Sequence, residues 1–260
     1  MPADMSLKWR ASEQDHWGDT YPDANGTRQS PIDIVTSQAA RREFPPLRVE
    51  EKRLWGAEPS FQLANDTRTV KIIPDKETVS YILSGGPFLG TYELKVAHMH
   101  WGLKVGEGSE HRLYGLQHEA ELHFVFVQCD ESSGNEYNEK YHVLSRFLKQ
   151  TEAVEPDNEL NLLLSHLDGI ENPRTIPAPK VNILSLLPRL GDESYFTYAG
   201  SLTTPPCVEQ VRFFIFKCPV EVTKASMEKL RSLKNEDGDL IAPSFRRTQP
   251  LNGRLVEMSK

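Results

Sequence analysis

The stretch 98–102 reads HMHWG and places His98 and His100 one residue apart. Side chains alternate between the two faces of an extended chain, so both imidazole rings would point the same way. A third histidine, His123, lies in the apolar run 119–127. If the two segments are neighbouring antiparallel strands, three imidazoles meet on one face. Three neutral imidazoles with one open position are typical of a catalytic zinc site, whereas structural zinc sites usually close all four positions with protein ligands.

Two interpretations of these histidines remain open from spacing alone. They could be ordinary buried histidines with satisfied hydrogen bonds, because short motifs often arise by chance. The neighbouring Glu121 favours the metal, since a ligating histidine usually donates its second ring N–H to a carboxylate or carbonyl, and Glu121 shares the face of His123. Alternation along 92–101 also puts Leu94 and Val96 on the face of His98. The reaction stays open between a hydrolase and a hydratase.

Length and charge restrict the class of protein. The chain has 260 residues and a net charge of -7 with both signs interspersed. It is long enough for one large core, and its acidic net charge argues against nucleic-acid binding, which needs a basic face. No apolar run approaches the roughly 20 residues of a membrane span. We therefore expect neither a nucleic-acid partner nor a membrane partner.

Cysteine usage and the first residues bear on the compartment. The N-terminal segment lacks the basic start and apolar middle of a signal peptide. The chain has three cysteines in no paired pattern, which favours a reducing, cytoplasmic setting. Two Asn-x-Thr sequons, at Asn25 and Asn65, point the other way but are short motifs of low specificity.

The pattern of elements indicates a sheet protein. Runs rich in β-branched and aromatic residues predict strands at 67–73, 78–83, 92–101, 119–127 and 209–217. Helical periodicity predicts helices at 158–170 and 223–233, the second with Thr223 as N-cap. The stretch 141–150 fits a helix and a buried strand equally well. With an irregular first sixty residues and no repeat, we expect a single α+β domain over 1–260 with a mainly antiparallel sheet.

The order of motifs along the chain resembles the α-class carbonic anhydrases over nearly the whole length. The matching parts are Trp9 and the segments 16–34, 84–94, 98–102, 108–111, 120–123, 198–209 and 245–254. The resemblance implies a large twisted, mostly antiparallel β-sheet with short surface helices, in which 141–150 is a strand. It also implies a monomer that binds Zn²⁺ and reversibly hydrates CO₂ to bicarbonate by attack of zinc-bound hydroxide, and that sulfonamides or anions inhibit.

The resemblance also implies roles for individual residues. His98, His100 and His123 match the zinc ligands, and Glu121 matches the acid behind the third ligand. Thr203 matches the threonine whose hydroxyl accepts a hydrogen bond from the zinc-bound hydroxide. Glu110 matches the acid that accepts the hydrogen bond donated by that threonine. The remaining positions match the CO₂ pocket (Val125, Val143, Leu202, Val211 and Phe213), a bicarbonate or inhibitor contact (Thr204) and buried structural groups (His111, Ser30 and Tyr198).

Several positions depart from the family pattern. Arg68 stands at the position of the proton-shuttling histidine, and a guanidinium cannot release a proton near neutrality. Asp66 and Lys71 stand where amides are common. Val96 replaces a glutamine that hydrogen-bonds the first zinc ligand, and Cys207 lacks a disulfide partner. We therefore expect slowed proton transfer, weaker zinc retention and a free thiol.

One alternative is a catalytically weak or silent carbonic-anhydrase-related binding protein. Such relatives keep the fold but lack a zinc ligand. The three matching histidines are all present in this chain, which favours the enzyme. Weak esterase activity would use the same hydroxide as a side reaction.

Overall fold

The computed structural model describes residues 9–129, 139–152 and 158–260. The first eight residues, part of the segment on which the signal-peptide expectation rests, lie outside the described residues. The described strands are β1 (Asp33–Ile34), β2 (Ala40–Arg42), β3 (Arg48–Arg53), β4 (Phe61–Asn65), β5 (Val70–Pro74), β6 (Val79–Ser84), β7 (Tyr92–Trp101), β8 (Arg112–Leu113), β9 (Ala120–Gln128), β10 (Tyr141–Thr151), β11 (Arg174–Pro177), β12 (Tyr195–Gly200), β13 (Val211–Thr223) and β14 (Glu257–Ser259).

Twelve of these strands form one sheet, in the order β11-β4-β5-β7-β9-β10-β13-β12-β14-β2, with β6 also beside β7 and β3 beside β6. Most described pairs are antiparallel, but β10 with β13 and β14 with β2 are parallel. The α+β class and the large sheet are confirmed, and the sheet is mixed. β1 and β8 form a separate parallel pair.

The helices are short, between four and nine residues each. They are α1 (Trp17–Thr20), α2 (Glu159–Ser165), α3 (Ile183–Leu186) and α4 (Lys224–Ser232), with 3₁₀ turns at Ala11–His16, Pro22–Asn25, Thr36–Gln38 and Leu167–Ile170. The Thr223 hydroxyl accepts from the Ser226 N–H at 3.0 Å and caps α4 as predicted. The predicted helix at 158–170 is divided into α2 and a 3₁₀ turn. No helix within the described residues is long and apolar enough to cross a membrane.

The strand predictions hold best where the apolar pattern is strong. The bounds of β7 match the prediction, and 141–150 is a strand within β10. β5 begins only at Val70, and the sequence did not predict the strand β3 within the irregular opening segment. The other strands that were not predicted are β1, β2, β4, β8, β11, β12 and β14, and all of these but β12 are five residues or shorter.

A β-bulge changes the face of one predicted residue. The pairing of β7 with β9 shifts register between Leu94 and Val96. A bulge inserts one extra residue, so the alternation is reset beyond it. Leu94 consequently packs in the larger core with Ala97 and Met99, on the face opposite His98. The expectation that Leu94 shares the histidine face was therefore wrong, while Val96 does lie on that side.

Candidate metal centre

Two adjacent strands bring the three predicted histidines together. His98 and His100 lie on β7, and His98 is the direct cross-strand partner of His123 on β9. The ring centroids are 5.0 Å (98 to 100), 5.2 Å (98 to 123) and 4.8 Å (100 to 123) apart. One ligand atom from each ring lies within 4.8 Å of the others. The three rings therefore converge on one point.

The hydrogen bonds of two rings determine which nitrogens remain for a metal. His100 Nδ1 donates to the Ser244 carbonyl at 2.8 Å, and His123 Nε2 donates to Glu121 Oε1 at 2.8 Å. The opposite nitrogen of each ring is then a lone-pair donor, and His100 Nε2 is buried with no hydrogen-bond partner among the described residues. Ring nitrogens fixed in this way by a carbonyl and a carboxylate fit zinc.

The third ring lacks such support. No hydrogen bond to the His98 ring is found in the described part of the chain, and Val96, the preceding residue on this side of the strand, offers only methyl groups. Burial, together with the neighbouring His100 and His123, holds the pKa of His98 well below its usual value. A neutral imidazole is the form that binds a metal. His98 therefore has the right charge state but no polar group to fix its orientation.

Glu121 connects the histidines to a buried polar network. Its carboxylate accepts from His111 through the backbone N–H at 2.8 Å and through Nδ1 at 2.7 Å, and also from the Ser145 hydroxyl. The Tyr198 hydroxyl lies 2.7 Å from His111 Nε2 and donates to Ser30 Oγ at 2.9 Å. Burial would raise the pKa of Glu121, but His111 and His123 hold it well below its usual range. His111, Ser30 and Tyr198 thus form the expected structural support.

Glu110 is the second buried acid beside the three rings. Its Oε1 accepts from the Arg246 N–H at 2.9 Å, and its Oε2 lies 3.4 Å from His100 Nε2 and 3.9 Å from His123 Nδ1. Burial raises the pKa of Glu110 to about 7, against the lowering effects of His123 and of the Thr203 hydroxyl. A metal cation at the histidines would favour the ionised carboxylate. An ionised Glu110 can only accept, so Thr203 would donate to it.

A cavity of about 370 Å³ opens onto His98 and His100. Its lining residues are Trp9, Tyr21, Asp66, Arg68, Thr69, Lys71, Val96, His98, His100, Val125, Leu202, Thr204, Pro205, Pro206 and Ser244. Three predicted pocket residues, Val125, Leu202 and Thr204, are among them. The other three, Val143, Val211 and Phe213, are buried in the hydrophobic cluster that contains Val125, with Val96 and Leu202 packed against it.

Six lining residues were not predicted as part of the site: Trp9, Tyr21, Thr69, Pro205, Pro206 and Ser244. Trp9 and Tyr21 come from the opening layer, Thr69 precedes β5, and Ser244 lies just before the segment 245–254. Thr69 Oγ1 donates to the Met99 carbonyl at 2.5 Å and so connects the cavity wall to β7. The motifs around Trp9 and Tyr21 gave a signal of resemblance, but nothing local in the sequence showed that they reach the cavity.

The structure bears on the Cys207 thiol and on the two Asn-x-Thr sequons. Cys207 is buried and unbridged, and burial raises the pKa of its thiol to about 11. The Asn65 side chain is also buried and donates to the carbonyls of Ile170 and Lys234 at 3.1 and 2.9 Å. Its amide is therefore not available as a glycosylation acceptor in the folded chain, whereas Asn25 is not buried.

The fold and the site together define a class of protein. Three converging imidazoles, two of them oriented by a carbonyl and a carboxylate, stand at a cavity beside a buried acid, on a large mixed sheet. This is the arrangement of a mononuclear zinc enzyme with an open coordination position.

Comparisons with known proteins give the family. The sequence model of the eukaryotic-type carbonic anhydrases matches residues 12–260. Human (Homo sapiens) carbonic anhydrase 3 is 32% identical over 98% of this chain and 99% of its own length. Carbonic anhydrase 3 of Sus scrofa is 31% identical over 98% and 99%, and carbonic anhydrase 1 of Monodelphis domestica is 32% identical over 94% of each chain. The chain belongs to the eukaryotic-type carbonic anhydrase family, whose enzymes are zinc lyases that hydrate CO₂.

Proposed function

We propose that this chain hydrates CO₂ reversibly at a zinc ion that His98, His100 and His123 would hold, with turnover limited by proton transfer. The convergence of the three rings carries the metal assignment, since one nitrogen of each lies within 4.8 Å of the others. When bound, zinc lowers the pKa of a coordinated water to about 7, as is known for carbonic anhydrases, and so supplies a nucleophile at neutral pH.

Thr203 and Glu110 orient the attacking oxygen in this proposal. Glu110 accepts a hydrogen bond from the Thr203 hydroxyl, so the threonine oxygen can only accept a hydrogen bond from the nucleophile. This directs a lone pair of the nucleophile towards CO₂. The apolar wall formed by Val125 and Leu202, with the cluster around Val143 behind it, accommodates a substrate that has no net dipole. Thr204 at the same cavity would contact bicarbonate, or a sulfonamide or anion in its place.

The polar part of the cavity lining is poorly suited to proton release. Each turnover releases one proton, and the position of the family's shuttle holds Arg68. Apart from the two histidines assigned to the metal, the ionisable lining residues are Asp66, Arg68, Lys71 and Tyr21. None of these residue types ordinarily exchanges protons near pH 7. This supports slow proton export, with small buffers as external acceptors.

Val96 supports a second difference from the family pattern. Without an acceptor behind His98, the ring would be fixed only by packing and by the metal itself. Loss of such a supporting contact typically lowers metal affinity or activity 10–100-fold. We expect zinc to bind but to be released more readily than in relatives with a glutamine at this position.

The test combines zinc analysis with stopped-flow CO₂ hydration over a range of imidazole concentrations. We expect one zinc per chain and a turnover that rises with buffer and then saturates. A fast turnover that ignores buffer would refute slow proton export. A chain that binds no zinc and does not hydrate CO₂ would instead be the silent binding relative.

Two further proposals concern the setting of the protein. The three unbridged cysteines support a reducing, cytoplasmic location. We also expect a single-domain monomer, which light scattering of the purified protein measures directly, while cell fractionation measures the location.

A further inference from the structure

The hydroxyl of Thr69 makes two hydrogen bonds to the residue that separates two of the predicted metal ligands. Thr69 Oγ1 donates to the Met99 carbonyl at 2.5 Å and accepts from the Met99 backbone N–H at 3.2 Å. The Val70 carbonyl, at 3.3 Å, is a more distant acceptor. Met99 lies between His98 and His100 on β7 and is fully buried, and Thr69 is also buried. One side chain therefore satisfies both backbone polar groups at the centre of this segment.

These two hydrogen bonds continue the contact between β5 and β7 beyond the end of their backbone pairing. The register of β5 on β7 pairs Lys71 with His98 and ends there. In an antiparallel ladder every second residue exchanges both its N–H and its C=O with its partner. At Met99 the Thr69 hydroxyl takes the place of that backbone partner. A side chain thus completes the strand pairing at the point where β7 carries the histidines.

The turn that carries Thr69 is itself held by an acid. Thr69 closes the turn between β4 and β5, where its carbonyl accepts from the Asp66 N–H at 3.2 Å. Asp66 Oδ1 accepts from the backbone N–H groups of Arg68 and Thr69 at 3.2 and 3.0 Å, and its Oδ2 pairs with Lys71 Nζ. The position of the Thr69 hydroxyl is therefore set by the β4–β5 hairpin.

The three predicted ligands differ in what fixes their rings. His100 Nδ1 and His123 Nε2 each donate to a fixed oxygen, whereas no hydrogen bond to the His98 ring is found among the described residues. A ring without such a bond takes its position from packing and from its own backbone. The backbone next to His98 is the one that Thr69 holds. Groups that orient a metal ligand typically change metal affinity or activity 10–100-fold when they are lost.

We infer that Thr69 is a positioning residue for the metal centre. Its hydroxyl holds the backbone of Met99 and, through it, the spacing of the His98 and His100 rings. The inference rests on the proposed function, in which these rings hold zinc. It requires a hydroxyl at position 69, which serine also supplies. An isosteric valine would leave two buried backbone groups without a partner, which is costly because neither can turn to water.

The experiment compares Thr69→Val, Thr69→Ser and the wild type in two measurements that need no turnover. The first is the rate of zinc release to a chelator, at a temperature at which circular dichroism shows every protein to be folded. The second is the visible absorption spectrum of the Co²⁺-substituted protein, which reports the coordination geometry. We expect Thr69→Val to release zinc about tenfold faster with a changed Co²⁺ spectrum, and Thr69→Ser to stay within about twofold of the wild type.

Thr78→Val is the matched control. The Thr78 hydroxyl likewise accepts from a backbone N–H, that of Ser60 at 3.1 Å, and donates to a backbone carbonyl, that of Asp75 at 3.0 Å. Thr78 lies outside the cavity lining, so this variant should release zinc at the wild-type rate. Thr69→Val with wild-type release and spectrum overturns the inference, as does equally fast release from Thr69→Val and Thr78→Val.

A folding defect and a failure of the proposed function have separate signatures. If Thr69→Val does not fold, Thr69→Ala is measured in its place. Failure of both to fold would show that the hydroxyl supports the whole fold rather than the ligands, and would overturn the inference. A wild-type protein that binds neither zinc nor Co²⁺ refutes the proposed function itself.

Discussion

The two faces of the central sheet both bury histidines, but the rings have different surroundings. On the cavity face, His100 and His123 each donate one ring nitrogen to a fixed oxygen and leave the other for a metal. On the core face, His142 of β10 lies against the ring of Tyr92 with centroids 3.6 Å apart and against Phe88 at 4.1 Å. Burial alone therefore does not separate a metal ligand from a core histidine.

Convergence and ring orientation do separate them. His142 has one acid nearby, with its Nε2 3.5 Å from Glu139 Oε2, and Glu139 is also bonded to Arg212 Nε at 2.8 Å. Burial lowers the pKa of His142 to about 4 despite that acid. The ring is a neutral packing element, whereas the cavity rings present lone pairs to a shared point.

The largest expected effect follows removal of one cavity ring. His100→Ala should lose zinc and reduce CO₂ hydration to background, because two imidazoles and a small apolar group no longer complete the site. The matched variant on the core face, His142→Phe, should keep zinc and turnover, since phenylalanine preserves the ring contacts. Zinc content by elemental analysis and stopped-flow assay measure both. A His142→Phe protein that is folded but zinc-free would break the contrast.

The next effect concerns the oxygen relay on the cavity face. Thr203→Val keeps the shape but removes the hydroxyl that, in the proposed mechanism, connects Glu110 to the nucleophile. Loss of one such orienting or stabilising hydrogen bond typically costs about 10²–10³ in kcat. We expect turnover to fall by about this factor while zinc content is unchanged. A loss below threefold would show that the threonine does not orient the reaction.

These contrasts show how much the sequence could predict. Alternation along β7 is local, so the pairing of His98 and His100 on one side was predictable, and adjacency with β9 was enough to add His123. The bulge that places Leu94 on the face opposite His98 has no signal in the local sequence, because it depends on how β7 pairs with β9. The parallel pairing of β10 with β13 is likewise a tertiary choice.

The support around the site was the least predictable part. His100 Nδ1 is fixed by a carbonyl 144 residues away, at Ser244, and any residue type could supply that carbonyl. Glu121 was predictable because its partner His123 is two residues away on the same strand. The stacking of Arg68 on Trp9 joins two segments that only the fold brings together.

A smaller effect is expected for the orientation of the third cavity ring. Val96→Gln places an amide oxygen where it can accept the His98 ring N–H and should slow zinc release to a chelator about tenfold or more. Val96→Met, of similar length but without a strong acceptor, is the matched control and should release zinc at the wild-type rate. Equal release from all three proteins would show that packing alone holds the ring.

The smallest effect on activity, and a distinct one on stability, comes from the core face. The folded pKa of His142 is about 4, below the ordinary value of 6.5. Between these values the unfolded chain binds a proton that the folded chain refuses, so stability is complete above pH 6.5 and falls as the pH decreases towards 4. Glu139 also has a lowered pKa but acts below 4.5, outside most of this range.

The measurement is the free energy of unfolding in urea at pH 7.5 and pH 4.5 for the wild type and His142→Phe. Acid also protonates the cavity ligands in both proteins, so the informative quantity is the difference between the two pH dependences. We expect the wild type to lose about 1–3 kcal/mol more than the variant, the size that such a buried shift produces. Equal losses of unfolding free energy in the two proteins would mean that His142 takes up its proton in the folded state. The description of His142 as a neutral core ring would then be wrong.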